Sequence, residues 1–434
     1  VIRLVNFSKG TKVELENGDL VEVKTKLGEG AQGVVYLVKY KDKDYALKWY
    51  LKLQTKEFID NLRNNIIKGK PSDDYLWPLA LTKETEDGIG YLMDVRTKNF
   101  TPFVDFLNGL VVFDSLYSML TWSINLADAF KKLHTSGYSY QDVNEGAFFL
   151  DVYDGKILIC DNDNVTANTK NLGILGKPKY MAPEVIRGEK IPDIHSDRFS
   201  MAVIFFNTLV MSHPFQGDLI KNYPIIDETA ERELYGTNPV FIFNKKDRRN
   251  APIRGYHTAA LKRWPQLPDY VQEAFHKTFT QGLSERENGR TTELEWIKVL
   301  TRYRDELVKC SSCNFQFASL VYSGNQEVGC PSCKTTNERR IVLEVNNNLV
   351  LLDLKKYIYE THYDKYSGKY AQVVGEIVSN KLNPKLWGIK NLSGTDWSIT
   401  DDAGVRKIIP HQGVVPIIKN LQIEFKPQII GKLK

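Results

Sequence analysis

Residues Leu27 to Tyr36 read LGEGAQGVVY, and the following segment ends in YALK, Tyr45 to Lys48. The glycines stand in a G-x-G-x-x-G-x-V pattern made by Gly28, Gly30, Gly33 and Val35. In a dinucleotide site such a pattern opens a helix after a strand. Here β-branched and aromatic residues continue beyond it, which places the glycines on a hairpin. Residues 20–50 alternate apolar and polar, predicting three antiparallel strands with a turn at Lys41 to Asp44. Glycines in that hairpin let the backbone approach a triphosphate, and Val35 can cover a base. Lys48 falls on the third strand with Ala46 facing the same way two residues earlier. A lysine there is placed to reach α- and β-phosphates.

Downstream the period becomes helical. Leu116, Leu120, Ile124, Ala127 and Phe130 share one face of residues 114–135, with Gly137 just past the end. Further helices are predicted over 197–211 and 268–281, the second flanked by Pro268 and Gly282. Between and after these helices come YSYQDVNEGAFFLD (Tyr138 to Asp151), KILICDNDN (Lys156 to Asn164) and GKPKYMAPE (Gly176 to Glu184). HSDRFSMAVIFF (His195 to Phe206) and ENGRTTELEW (Glu287 to Trp296) complete the series.

In this order, with the glycine hairpin and strand lysine ahead of them, these segments resemble a protein kinase of the eukaryotic type. The resemblance implies an α+β, bilobal kinase domain over 1–307, with a strand-rich lobe to about residue 95 and a helical lobe beyond it. GEGAQGVVY, the WPLAL segment, DNDN and a trailing four-cysteine element further resemble a bacterial subgroup. That subgroup is associated with a PP2C-type phosphatase and a von Willebrand-type domain protein, in gene sets linked to tellurite resistance. The resemblance therefore implies ATP and Mg²⁺, Ser/Thr of protein substrates as acceptors, and these two proteins as partners.

Residue by residue, Asp142 matches the catalytic-loop base and Asp161 the magnesium-binding aspartate. Leu27, Gly28, Gly30, Gly33, Val35, Ala46, Met93 and Phe149 would line the nucleotide pocket, with hinge backbone at Asp94, Val95 and Arg96. Asp197 would anchor the catalytic loop from a buried helix, and Arg290 would pair with Glu184. The departures are as informative. Tyr140 and Gln141 replace the loop histidine and arginine, so a phosphorylated Thr166 or Thr169 would lack its usual partner. Asn144 replaces the lysine two residues after the base, and Lys177 either supplies the missing ammonium near Asp142 or is an exposed loop lysine. Aligning on apolar residues puts Asn61 where a helix glutamate should pair with Lys48; Glu57 and Asp60 lie nearby as substitutes. Asp163 replaces a glycine and is a candidate metal ligand.

Ala147 stands where a metal-binding asparagine is expected and cannot bind an ion. Three readings fit: a scaffold that has lost catalysis, a kinase in which Asp163 or Asn144 takes over, or a kinase disarmed by an introduced alanine. The intact glycines, Lys48, Asp142 and Asp161 favour the last.

The four-cysteine element, CSSC (Cys310 to Cys313) and CPSC (Cys330 to Cys333), predicts one structural Zn²⁺ held by Cys310, Cys313, Cys330 and Cys333 in a ribbon over 308–340. The fifth cysteine, Cys160, is expected as a packed thiol. Beyond the ribbon, RRIVLEV, YAQVVGEIV, LWGIKNL and GVVPIIKNLQIEF predict an all-β module over 341–434. It faintly resembles a forkhead-associated (FHA) sandwich but lacks evident counterparts of that family's phosphothreonine-reading arginine and serine.

Composition bounds the rest. The chain has 434 residues, 42% hydrophobic and 26% charged, with a net charge of +5, too mild for a dedicated nucleic-acid binder. Lys245 to Arg263 is locally basic and reads as a solvated face, with docking of an acidic substrate or partner as the alternative. No run reaches membrane-spanning length; MAVIFFNTLVM (Met201 to Met211) predicts a buried core helix. Without a signal-peptide pattern the expectation is a cytoplasmic protein.

Overall fold

The computed structural model describes residues 6–30, 32–319, 328–337 and 340–434. The remaining short stretches of the expected kinase domain and ribbon lie outside the described residues. Two compact units emerge. The first comprises Val1–Phe113, Leu126–Leu261 and Glu273–Leu294; the second comprises Asp114–Asn125, Lys262–Gln272 and Glu295–Lys434.

The first unit opens with an antiparallel sheet of β1 (Lys12–Glu14), β2 (Leu20–Glu29), β3 (Gly33–Tyr40), β4 (Lys43–Tyr50), β5 (Ala80–Leu81) and β6 (Gly90–Asp94), in the order β1-β2-β3-β4-β6-β5. The β3–β4 turn is tighter than expected. Lys41 and Asp42 both take positive φ, 46° and 65°, and Lys43 already lies in β4. This is the two-residue hairpin geometry that suits the right-handed strand twist. Strand alternation divides the sheet's apolar residues. Val21, Val23, Val34, Val38, Leu47 and Trp49 form one cluster, while Ala46, Tyr50, Tyr91 and Met93 join Ile59 and Leu62 in another. Ile59 and Leu62 come from α1 (Lys56–Lys68), capped by Thr55, whose hydroxyl accepts from the Phe58 amide, and stopped by Gly69 at φ 79°.

The helical part centres on Ile194–Val210. Its residues Met201 to Phe206 are all fully buried, as expected of a core helix. Asp193 starts it with a capping box, bonding the His195 and Ser196 amides while Ser196 returns to the Asp193 amide. The segment expected over 268–281 is the helix Asp269–Phe279. No helix among the described residues is long and apolar enough to cross a membrane.

In the second unit, two small hairpins, Leu307–Lys309 with Gln316–Ala318 and Val328–Gly329 with Thr336–Asn337, carry the cysteines. After them come a six-stranded and a four-stranded antiparallel sheet. Leu343, Val350, Trp397 and Ile423 from the first share a single core with Ile358, Ile389 and Val415 from the second. Two sheets closing over one apolar layer make a β-sandwich. The run GVVPIIKNLQIEF is broken in two, Val414–Pro416 and Gln422–Lys426, because Asn420 turns with φ 73°.

The division between units does not follow the expected boundary at 307. Arg304, fully buried, lies 3.8 Å over the Tyr359 ring and 5.6 Å from that of Tyr117. Lys356, also buried, donates to the Asp305, Leu307 and Leu351 carbonyls at 2.8, 3.3 and 2.7 Å. A buried cation needs such partners, and here they bind the sandwich to helical residues of the same unit.

Candidate active site

The glycine hairpin separates two kinds of glycine. A Cβ on Gly33 would sit 2.6 Å from the Trp49 carbonyl oxygen, so packing against β4 demands glycine there. A Cβ on Gly28 or Gly30 would meet no protein atom within 4 Å. Those two lack side chains without any packing reason inside the protein, which leaves the hairpin backbone open to a ligand. Below the hairpin, Val35, Ala46, Met93, Val95 and Phe149 gather in one apolar cluster with Cys160. Register pairs Ala46 with Met93 and Tyr45 with Asp94. Arg96 lies 4.6 Å over the Phe149 ring. Leu27 is exposed and stands outside this cluster. Burial pushes the Cys160 thiol well above its ordinary range.

Lys48, on β4, is buried and meets two aspartates. Its Nζ lies 3.2 Å from Asp161 Oδ1 and 3.0 and 2.8 Å from the two oxygens of Asp163. Burial alone would weaken the ammonium, but the Asp163 carboxylate outweighs it and holds Lys48 well above the usual lysine range. The Asp163 side chain is 0% exposed and that of Asp161 49%, so the two acids face different environments. Asp161 takes the left-handed conformation, φ 53°, at the head of the short turn Asn162–Asn164.

Helix α1 does not deliver the expected carboxylate. Asn61 and Asn65 both donate to the Val165 carbonyl at 2.9 Å, and Asp60 pairs with Arg63 at 2.8 Å. The helix thus grips the chain just beyond Asn164 rather than the lysine.

The loop around Asp142 hangs on Asp197. Its carboxylate accepts from the backbone amides of Tyr140 and Gln141 at 2.6 and 2.9 Å, and His134 Nε2 approaches at 3.1 Å. The Tyr140 hydroxyl donates to the Cys160 carbonyl, joining the loop to the strand before Asp161. Asp142 itself accepts from Asn144 Nδ2 at 2.8 Å and from Asn164 Nδ2 at 3.4 Å. Burial pushes its carboxyl up; the Asn144 hydrogen bond and the nearby Lys177 charge oppose this. Asn144 also caps the turn Glu145–Ala147 through the Gly146 amide at 2.9 Å. Asn164 was not singled out by sequence reasoning, although an amide directly after Asp163 was a visible signal.

Lys177 lies 3.3 Å from Glu145 Oε1, with Lys179 at the same distance. Gly176 turns the chain against Asp142, with φ 94° and a Cβ position 3.5 Å from Asp142 Oδ1. Ala147 is fully buried, and its carbonyl accepts from the Cys160 amide at 2.9 Å. The buried Arg290 meets Glu184 in a two-pronged pair at 2.8 and 2.7 Å and also donates to the Gly282 and His195 carbonyls. Such a planar, bidentate contact is the strongest ion-pair geometry.

In the second unit the four cysteine sulfurs lie within 4.8 Å of one another. The two knuckles match: the Asn314 amide bonds the Cys310 carbonyl at 3.0 Å, and that of Lys334 bonds Cys330 at 2.9 Å. Asn314 and Lys334 take positive φ at equivalent places, 60° and 65°. The Cys310–Cys333 and Cys313–Cys330 sulfur separations are 3.6 and 3.7 Å. Tetrahedral thiolates about 2.3 Å from a zinc ion stand about 3.8 Å apart, so the donor set fits that metal.

The chain is similar to protein kinases from distant organisms. It is 27% identical over 229 residues to the protein kinase YegI of Escherichia coli (strain K12), covering 49% of this chain and 32% of the relative. It is 29% identical over 223 residues to the mouse protein kinase C delta type, covering 48% of this chain and 31% of that protein. Against the Arabidopsis thaliana serine/threonine-protein kinase AtPK2/AtPK19 the identity is 29% over 220 residues, 47% of this chain and 44% of the relative. The chain thus spans less than half the length of these relatives. The protein kinase domain family matches residues 21–286, from the glycine hairpin through Glu184 to Arg286. With more than half of its length matched to that family, the chain belongs to the protein kinases.

Proposed function

We propose that this chain is an ATP-dependent protein serine/threonine kinase, and that Ala147 lowers its activity. The observation that carries the reading is the contact of Lys48 with Asp161 beneath the open hairpin glycines. Lys48 would bind the α- and β-phosphates and Asp161 a magnesium ion. A bound magnesium supplies charge neutralisation on the phosphates. Asp142 would accept the proton of the substrate hydroxyl, its carboxylate kept in orientation by Asn144 and Asn164. Lys177 would supply positive charge at the same point. The apolar cluster of Val35, Ala46, Met93 and Phe149 would receive the adenine, with Leu27 at its rim and hinge backbone from Asp94 and Val95.

The Ala147 side chain offers no oxygen donor, so a second side-chain metal contact is missing from the loop. Loss of a comparable preorganised contact costs about 10²–10³ in rate. That same alanine favours a second reading, a nucleotide-binding scaffold without catalysis. Transfer of labelled phosphate from ATP by Ala147→Asn decides between them. A kinase gains activity in that variant and loses it again when Asp142→Asn is added; a scaffold shows transfer in neither.

The hairpins of the second unit would hold a structural zinc through Cys310, Cys313, Cys330 and Cys333, making the ribbon expected over 308–340. The β-sandwich would serve as an FHA-like interaction module. A phosphatase and a von Willebrand-type protein as partners, and a cytoplasmic location, rest on the sequence alone.

A further inference from the structure

We infer that Asp163 is the positioning residue for Lys48: its buried carboxylate, fixed by the hydroxyls of Tyr50 and Tyr91, holds the strand ammonium without a carboxylate from helix α1. The inference deepens the nucleotide-site reading and rests on it.

Four contacts define the arrangement. Lys48 Nζ reaches both Asp163 oxygens, at 3.0 and 2.8 Å. The Tyr50 hydroxyl donates to Oδ2 at 2.6 Å and the Tyr91 hydroxyl to Oδ1 at 3.4 Å. Each carboxylate oxygen is therefore met by the ammonium and by one phenol. The side chain has no exposed surface. A magnesium ion dehydrates reluctantly and keeps several waters, so it needs an oxygen that solvent can reach. Asp161, half exposed and two residues earlier, offers one; Asp163 does not. The two acids of DNDN thereby divide the work, Asp161 facing the metal side and Asp163 the lysine.

The chain builds this pair from the strand side. Lys48 and Tyr50 lie on β4 and Tyr91 on the adjacent β6, paired directly with Lys48. Helix α1 contributes through Asn61 and Asn65, which hold the Val165 carbonyl and so fix the segment that carries Asp163. The Lys48 carboxylate partner thus belongs to the loop after the strand Ile157–Ile159, and no acid of the helix is required at Asn61.

The test pairs phosphate transfer with a metal readout, in the full chain and in the Ala147→Asn background. Asp163→Asn should lower kcat about 10²–10³-fold, with the magnesium requirement unchanged. In a Lys48→Met background the same change should cost nothing further, because Asp163 acts through Lys48. Tyr50→Phe, a smaller change, should lower kcat about tenfold. Manganese bound with ADP, followed by electron paramagnetic resonance, gives a readout independent of turnover. Asp161→Asn should change the ion's coordination signature, whereas Asp163→Asn and Tyr50→Phe should leave that signature unchanged while weakening ADP binding through Lys48. A changed manganese coordination signature in Asp163→Asn, or losses that multiply with Lys48→Met, would overturn the inference. Failure of the unsubstituted protein to bind ADP would instead overturn the nucleotide-site reading.

Discussion

The side-chain amide of Gln141 donates to the Thr166 hydroxyl at 2.7 Å, and both residues are buried. The same amide reaches Ser139 Oγ at 3.0 Å, while its oxygen accepts from Asn171 at 2.9 Å. A neutral glutamine thus performs a tether that an arginine and a phosphate would otherwise make. Thr166 has no room for a phosphate and its hydroxyl is engaged. Phosphate mapping after incubation with ATP should find Thr166 unmodified, and Thr166→Glu should not raise turnover. Gln141→Ala should destabilise the fold by about 1–3 kcal/mol, read from denaturant melts.

His134 predicts how stability depends on pH. It sits between Asp197, 3.1 Å from Nε2, and Glu293, 2.7 Å from Nδ1. Burial alone would lower its pKa, but the two carboxylates raise it to about 9. A raised histidine stabilises fully below its ordinary value of 6.5, and that contribution disappears as pH climbs through about 9. Glu293 has the opposite sign. Burial would raise it, but His134 and Arg198 hold it at about 2, so its contribution is present above 4.5 and disappears as pH falls toward 2. Thermal melts should show stability declining between pH 6.5 and 9, and His134→Gln should flatten that decline.

The cysteine knuckles predict a metal content. Elemental analysis should find one zinc per chain, and Cys330→Ser should abolish it. Stripping the metal with a chelator should expose the segment around Cys310 and Cys333 to proteolysis, because a hairpin pair of this size has too little core to hold itself.

Lys177 is half exposed and shares Glu145 with Lys179. Its charge acts on Asp142. Lys177→Met should therefore lower kcat far more than it weakens ATP binding. Equal turnover in the variant would reduce Lys177 to a surface lysine.

The legible parts of this molecule were those whose signal is local. Alternation announced β2 to β4, and glycine spacing announced the hairpin above Lys48. Asp142 and Asp161 could be picked out because each sits in a recognisable short segment. Contacts between distant residues were not legible. Asp163 and Lys48 are 115 positions apart, and the residue that sequence alignment offered for that pairing, Asn61, binds the Val165 carbonyl 104 positions away. The unit boundary was hidden for the same reason, since it depends on Arg304 finding the Tyr359 ring. Leu27 reads as pocket lining in the motif, and it is exposed near the end of β2.

The hairpin glycines offer a separation of folding from binding. Gly33 packs against the Trp49 carbonyl with no space for a methyl group, so Gly33→Ala must shift β3 away from β4. Overpacking of this kind costs about 1–3 kcal/mol. Gly28→Ala meets no protein atom within 4 Å, and Gly28 has no left-handed backbone to strain. The first variant should lower the melting temperature by several degrees, as about 1 kcal/mol does for a domain of moderate size. The second should melt with the unsubstituted protein yet bind ATP more weakly in calorimetric titration, because its methyl group occupies the space through which phosphates approach the backbone.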